Sequence, residues 1–401
     1  MPSLTLEPIR HATSADTALQ SSIASARDRT LNWLASMQAE GQPAGVLRIS
    51  AAHDPARWPG MLLPGTYNGT VARALLGDLP PADSAQASAL SVWLLSQRRT
   101  DGVFRIQGMH DDAVFKKPDL AQTWGYIDFH VTNYSLAAIV SLTPGLQPQL
   151  DFARPLLEPL HLKAWLAERD LRDPWLEGNN IVNLGSFLLA MQQSGDAATR
   201  TTVRRALDIL FDWHDRLQEP STGFWGVGQH ADPLRMLHAM AGSMHNYHLW
   251  YATGRSLPYQ DRAVDYCLSQ PPRVHSACID VDLVDLLVHA HWQIDHRRGE
   301  IRQWLRGLLP ELLAFQNADG GFADVRDGPG IPPRRQDGWV QGYAEPQGLS
   351  NTFATWFRWI AIAMIAECLW PGWSPADKPW QFRSTIGIGY CQPGVSRPLA
   401  I

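Results

Sequence analysis

Two hydrophobic patterns alternate along the chain. In residues 202–217 and 300–315 apolar positions return on one side of a 3.6-residue period, the mark of a helix with one buried face. In residues 131–142, 181–191, 234–251, 281–292 and 353–369 they run nearly all the way round, as a helix buried on every side requires. One helix of each kind makes a hairpin. The joints between them carry a recurrent turn: an apolar residue and Gln, then Gly, then an aromatic or aliphatic residue. The clearest copies run from Gln38 to Gly45, Gln97 to Phe104, Gln218 to Trp225 and Gln316 to Phe322, and weaker ones lie at Arg169 and Gln270. Markers at 38, 97, 169, 218, 270 and 316 suit two helices and a loop per unit.

Six hairpins with wholly apolar inner helices predict an all-α, single-domain (α/α)6 toroid, because an open stack would leave those helices wet. The toroid is expected over residues 31–370. Residues 1–30 read as an N-terminal extension and 371–401 as an irregular strap with Trp373 and Trp380. The long segment 325–348 reads as a lid over the ring.

Composition narrows the function. The 401 residues are 45% hydrophobic and 18% charged, so the chain folds. Its net charge of -5 is spread without a basic block, which excludes a phosphate-tracking nucleic-acid surface. No run of about 18 apolar residues predicts a transmembrane segment, and Glu7, Arg10, Asp16 and Arg27 interrupt any signal core, so the expected location is cytoplasmic. Four cysteines without CxxC spacing read as buried thiols. Among 17 tryptophans, Trp33, Trp93, Trp165, Trp213 and Trp304 fall at hairpin-packing positions.

The chemistry is expected at the amino-terminal ends of the inner helices, which converge on one mouth. These ends carry Tyr67 and Asn68; Asp128, His130 and Asn133; Glu177, Asn179, Asn180 and Asn183; His238, His245 and Asn246; Asp280, Asp282 and Asp285; and Asn351, Thr355 and Arg358. Any one of them also suits a helix cap, and the acids suit the helix dipole; recurrence on every inner helix is what points to a small-molecule or oligosaccharide substrate. Asp280, Asp282 and Asp285 open one apolar helix, where mutual repulsion should raise at least one pKa and leave Asp282 or Asp280 as a general acid. The histidines at 245, 248, 289, 291 and 296 lack metal-site spacing, since i and i+2 diverge on a helix, and no metal or other cofactor is expected from them.

The turn at Gln316-Asn317-Ala318-Asp319-Gly320-Gly321-Phe322, its second copy at Gln97 to Phe104, and Asp280-Val281-Asp282 opening an inner helix resemble the squalene-hopene cyclase and class II terpene cyclase family, which shares its toroid with protein prenyltransferase β subunits. Leu283 stands where that family's Asp-x-Asp-Asp motif has its third Asp. The resemblance implies a cyclase or isomerase acting on a polyprenyl substrate, with Asp282 as the proton donor supported by Asp280. Aromatic walls would come from Trp124, Tyr126, Trp250, Phe353 and Trp356. The prenyltransferase relatives imply zinc, for which Cys278, Asp280 and His248 are the matching set.

The polar mouth favours a different class. Glu177 with Asp282 would serve glycoside hydrolysis. Asn180, His245 and Tyr247, with Arg358 as charge partner, would serve a uronate lyase. A non-catalytic ligand-binding module is the third reading.

Overall fold

The computed structural model describes residues 14–109, 125–326, 340, 343, 345–376 and 378–382, excluding the side chains of residues 125 and 126. Among the described residues, twelve α-helices form six hairpins. The outer members are α1 (Ser14–Ser36), α3 (Ala85–Ser96), α5 (Pro159–Ala167), α7 (Ala197–Leu217), α9 (Gln260–Ser269) and α11 (Arg298–Ala314). The inner ones are α2 (Leu62–Leu75), α4 (Gly125–Leu142), α6 (Pro174–Ser194), α8 (Pro233–Thr253), α10 (Ala277–Gln293) and α12 (Thr352–Leu369). Each inner helix packs on the next and α12 returns to α2, so the ring closes as the all-round apolar pattern demands. Among the described residues there is no strand, only isolated bridges.

Helix α12 is apolar and long enough to cross a membrane by composition, yet all of it is buried inside the toroid. Helix α1 begins at Ser14, within the stretch expected as an extension. Its apolar contacts with the core within that stretch are Leu19, Ile23 and Ala26, with Asp16 and Thr30 buried beside them, too sparse a stripe to mark a helix in the sequence.

The turns are held by one repeated bond. Bridges Gln38–Leu47, Arg98–Phe104, Gln218–Trp225 and Gln316–Phe322 close the four clear copies. In each, the backbone N–H of the closing residue donates to a hydroxyl on the inner helix of the same hairpin: Leu47 to Thr66 at 3.0 Å, Phe104 to Thr132 at 2.9 Å, Trp225 to Ser243 at 3.0 Å and Phe322 to Thr355 at 3.0 Å. The Gln amides behave as expected of helix-end partners; Gln218 donates to the Gly223 and Pro258 carbonyls. Gln316 also closes the ring, donating to the Ala26 carbonyl and Thr30 of α1. Trp33 and Trp304 are buried, while Trp93, Trp165 and Trp213 pack half-buried on the core.

Close approach of inner helices depends on glycine. A Cβ on Gly242 of α8 would lie 2.0 Å from the Pro174 carbonyl oxygen, and one on Gly178 of α6 would lie 2.3 Å from that of Gly242. Beyond α12, Trp380 is buried and packs near Trp359 and Trp373 at ring separations of 6.4 and 6.5 Å. Cys267 and Cys368 are buried free thiols, and Cys278 is half-buried. Most of segment 325–348, expected as a lid, lies outside the described residues, as do residue 124, the chain from 383 onward and the last cysteine, at 391.

Gly242→Ala is expected to lower stability by about 1–3 kcal/mol through overpacking. Gly299→Ala, whose Cβ would meet nothing within 4 Å, should change it by less than ~1 kcal/mol. Thr132→Val, which orphans the buried Phe104 N–H, should cost about 1–3 kcal/mol. Urea unfolding of the three variants checks this order.

Candidate active site

The amino termini of α6, α8, α10 and α12 are capped by short side chains that satisfy exposed N–H groups: Asp173, Asp232, Ser276 and Asn351 accept from the amides of Leu176, Arg235, Ile279 and Ala354. Asn351 therefore serves as the cap of α12. The acids that follow sort by partner.

Glu177 is buried and accepts from Arg169 at 3.0 Å, from the Asp170 backbone N–H at 3.2 Å and from Asn180 at 3.0 Å. Arg169 occupies the marker position that Gln fills in the clear turns. Burial raises the Glu177 carboxyl against the pull of Arg169, and burial lowers the Arg169 guanidinium, so desolvation outweighs attraction on both sides of the pair. Asp280 does the corresponding work in the fifth hairpin. It accepts from the His275 backbone N–H at 2.9 Å and pairs with Arg358, whose other arm donates to the Asp324 carbonyl at 2.7 Å. Both acids thus hold a turn amide on an inner helix, as the hydroxyls of Thr66, Thr132, Ser243 and Thr355 do elsewhere, and each brings an arginine.

Asp282 lies two residues beyond Asp280, about 200° round the helix, and faces α8 instead. It is 0% exposed, with its Oδ1 4.0 Å from His245 Nε2. One turn further along both helices, His248 Nε2 meets Asp285 Oδ1 at 2.9 Å, and His289 Nδ1 meets the same oxygen at 2.9 Å. The α8–α10 seam is therefore a ladder of imidazole and carboxylate, with i and i+3 spacing on both helices. Burial alone would raise Asp285, but the imidazoles of His248 and His289 hold it well below the usual carboxylate range. Of the three clustered acids it is held ionised by its neighbours, a different outcome from mutual repulsion among Asp280, Asp282 and Asp285.

Aromatic side chains gather on the other side of the ring. Tyr134 of α4 lies edge-on to Trp356 of α12 at 5.1 Å and near Tyr67 of α2 at 5.9 Å, and His130 is edge-on to Tyr134 at 4.3 Å. Asn133 donates to Asn183 at 2.9 Å between α4 and α6. Asn68 is buried on α2, and Asp128 is buried with Arg105 at 4.0 Å. Tyr247 donates to the Gly223 carbonyl at 2.8 Å, and burial holds its phenol well above its ordinary value. Trp250 packs with Phe211, His214 and Trp225 between α7 and α8, and Phe353 packs on Phe357. Trp124 and the Tyr126 side chain lie outside the described residues.

The zinc set suggested by resemblance is divided: Asp280 binds Arg358, whereas His248 binds Asp285. The structure brings His248, Asp285 and His289 together instead. The i, i+4 spacing of Asp285 and His289 carried that signal. Tyr134, Arg169 and the four turn-binding hydroxyls gave weaker ones, because isolated Tyr, Ser or Thr in an apolar helix is common.

No family model matches the chain, and no curated protein matches it. Among solved structures it is similar to a variant of the type II terpene cyclase MstE from Scytonema in complex with its substrate geranylgeranyl dihydroxybenzoate, at 13% identity and a TM-score of 0.47, covering 88% of this chain and 99% of that one. A likeness at this level assigns neither a residue nor a reaction.

Arg358→Met strands the buried Asp280 carboxylate, and is expected to cost about 3–5 kcal/mol; the double change with Asp280→Leu should recover part of that loss. A double-mutant cycle by urea unfolding measures it.

Proposed function

We propose that this chain is an enzyme in which Asp282 acts as a general acid on an isoprenoid substrate, initiating cyclisation. The observation that carries the reading is the partner each acid has. Glu177 and Asp280 are each committed to an arginine and a turn amide, as parts of the scaffold. Asp282 is buried beside the imidazole of His245, a group that can hold or release a proton near neutrality.

In the proposed step the Asp282 O–H proton moves to the terminal carbon of an alkene, whose π pair forms the new C–H bond. The adjacent carbon becomes a cation, which the next double bond of the substrate attacks to close a ring. His245 steadies the carboxylate left behind. In this reading the aromatic cluster of Tyr67, Tyr134 and Trp356 is what stabilises the carbocation without capturing it. Loss of a proton from the last cation ends the sequence.

The glycan reading loses its second carboxylate, since Glu177 is engaged by Arg169, the Asp170 amide and Asn180. In the lyase version Tyr247 donates its proton to a turn carbonyl, and Arg358 is paired with Asp280.

The test incubates the protein with linear prenyl chains, their diphosphates, squalene-type terpenoids and uronate-containing oligosaccharides. A cyclised terpenoid is the expected product. Asp282→Asn should lower its formation at least ~10²-fold with the fold intact, and His245→Phe by a smaller factor with an altered pH profile. Wild-type turnover by Asp282→Asn, or cleavage of an oligosaccharide, would overturn the proposal.

A further inference from the structure

We propose that His248, Asp285 and His289 bind one divalent first-row transition metal ion of the zinc type, stapling α8 to α10. The reading rests on these three side chains and is independent of the reaction assigned to Asp282.

One ligand atom from each residue lies within 4.8 Å of the others, and all three residues are 0% exposed. The donor set, two imidazole nitrogens and a carboxylate, is the one such ions prefer. Both nitrogens stand 2.9 Å from Asp285 Oδ1. That matches the edge between two ligands each about 2.1 Å from one ion at roughly a right angle. A hydrogen-bonded network accounts for Oδ1 alone: among the described residues, the buried Asp285 Oδ2 and His289 Nε2 have no hydrogen-bond partner. A cation held by both carboxylate oxygens would satisfy Oδ2, which the imidazoles leave unmet.

The site is also stiff. His289 stacks on Tyr251 at 4.5 Å with an interplanar angle of 13°, and stands edge-on to Trp292 at 5.4 Å, so its ring orientation is fixed by packing. The seam it bridges is the one where neighbouring inner helices approach least closely, in contrast to α6–α8, where glycines bring the backbones together. A metal cross-link supplies there what close packing supplies elsewhere.

The experiment strips the full chain with a chelator, then titrates it with Zn²⁺, Co²⁺ and, as a control, Mg²⁺, following heat release, thermal midpoint and visible absorption. One equivalent of Zn²⁺ should bind and raise the midpoint by several degrees, with no response to Mg²⁺. Co²⁺ should give a d–d spectrum of nitrogen and oxygen ligands. His289→Gln should weaken Zn²⁺ binding by at least ~10²-fold, while His291→Gln, on the same helix, should leave it unchanged. A wild-type chain that binds no Zn²⁺ overturns the proposal without recourse to any variant. So does a sulfur-to-cobalt charge-transfer band, which would place the ion at a cysteine, or loss of binding in His291→Gln with retention in His289→Gln.

Discussion

Every hairpin of this toroid has the same problem: a turn at the end of an outer helix turns a backbone N–H toward the inner helix that must pack on it. The solution is a side chain on the inner helix that accepts that proton. In four hairpins it is a hydroxyl, from Thr66, Thr132, Ser243 or Thr355. In the third and fifth it is a carboxylate, from Glu177 and Asp280. A hydroxyl enters the core neutral, whereas a buried carboxylate needs a cation, so Arg169 and Arg358 follow as consequences of that choice. Much of the polarity at the mouth is thus construction.

What construction does not account for is concentrated between α8 and α10. Asp282 and Asp285 on one helix face His245 and His248 on the other, one turn apart, and His289 adds a second imidazole to the lower rung. The upper rung, nearer the helix amino termini, is the one assigned to proton transfer. The lower rung, fixed by Tyr251 and Trp292, is the one assigned to a metal. The backbones of α8 and α10 approach each other less closely than any other neighbouring inner pair, so the space between them is filled by these side chains.

The architecture was legible in the sequence because it rests on local rules. All-round apolar helices must be inside, and Gly in the Gln turns supplies backbone angles other residues avoid. The acids were legible as a group but not as individuals. Asp280 and Asp282 are the same residue type two positions apart, and what separates them is Arg358, 78 positions downstream. Arg358 itself was readable as a charge partner, though for a substrate carboxylate instead of Asp280. Residue 169 looked like a degraded turn marker; with Glu177 in place it becomes an ion pair doing a glutamine's work. The helix from Ser14 was hidden because its apolar stripe is sparse and its ties to the rest of the ring, through Thr30 to Gln316 and Gly320, lie 286 and 290 positions away in the chain.

In the proposed reaction a carboxyl proton from the protein enters the product. The direct measurement is mass spectrometry of the terpenoid product formed in D₂O, after the protein has exchanged. Protonation by Asp282 predicts one non-exchangeable deuterium per product molecule, at the end of the chain where cyclisation starts. A cyclised product without deuterium would contradict it, because the reaction would then begin without a proton from the enzyme.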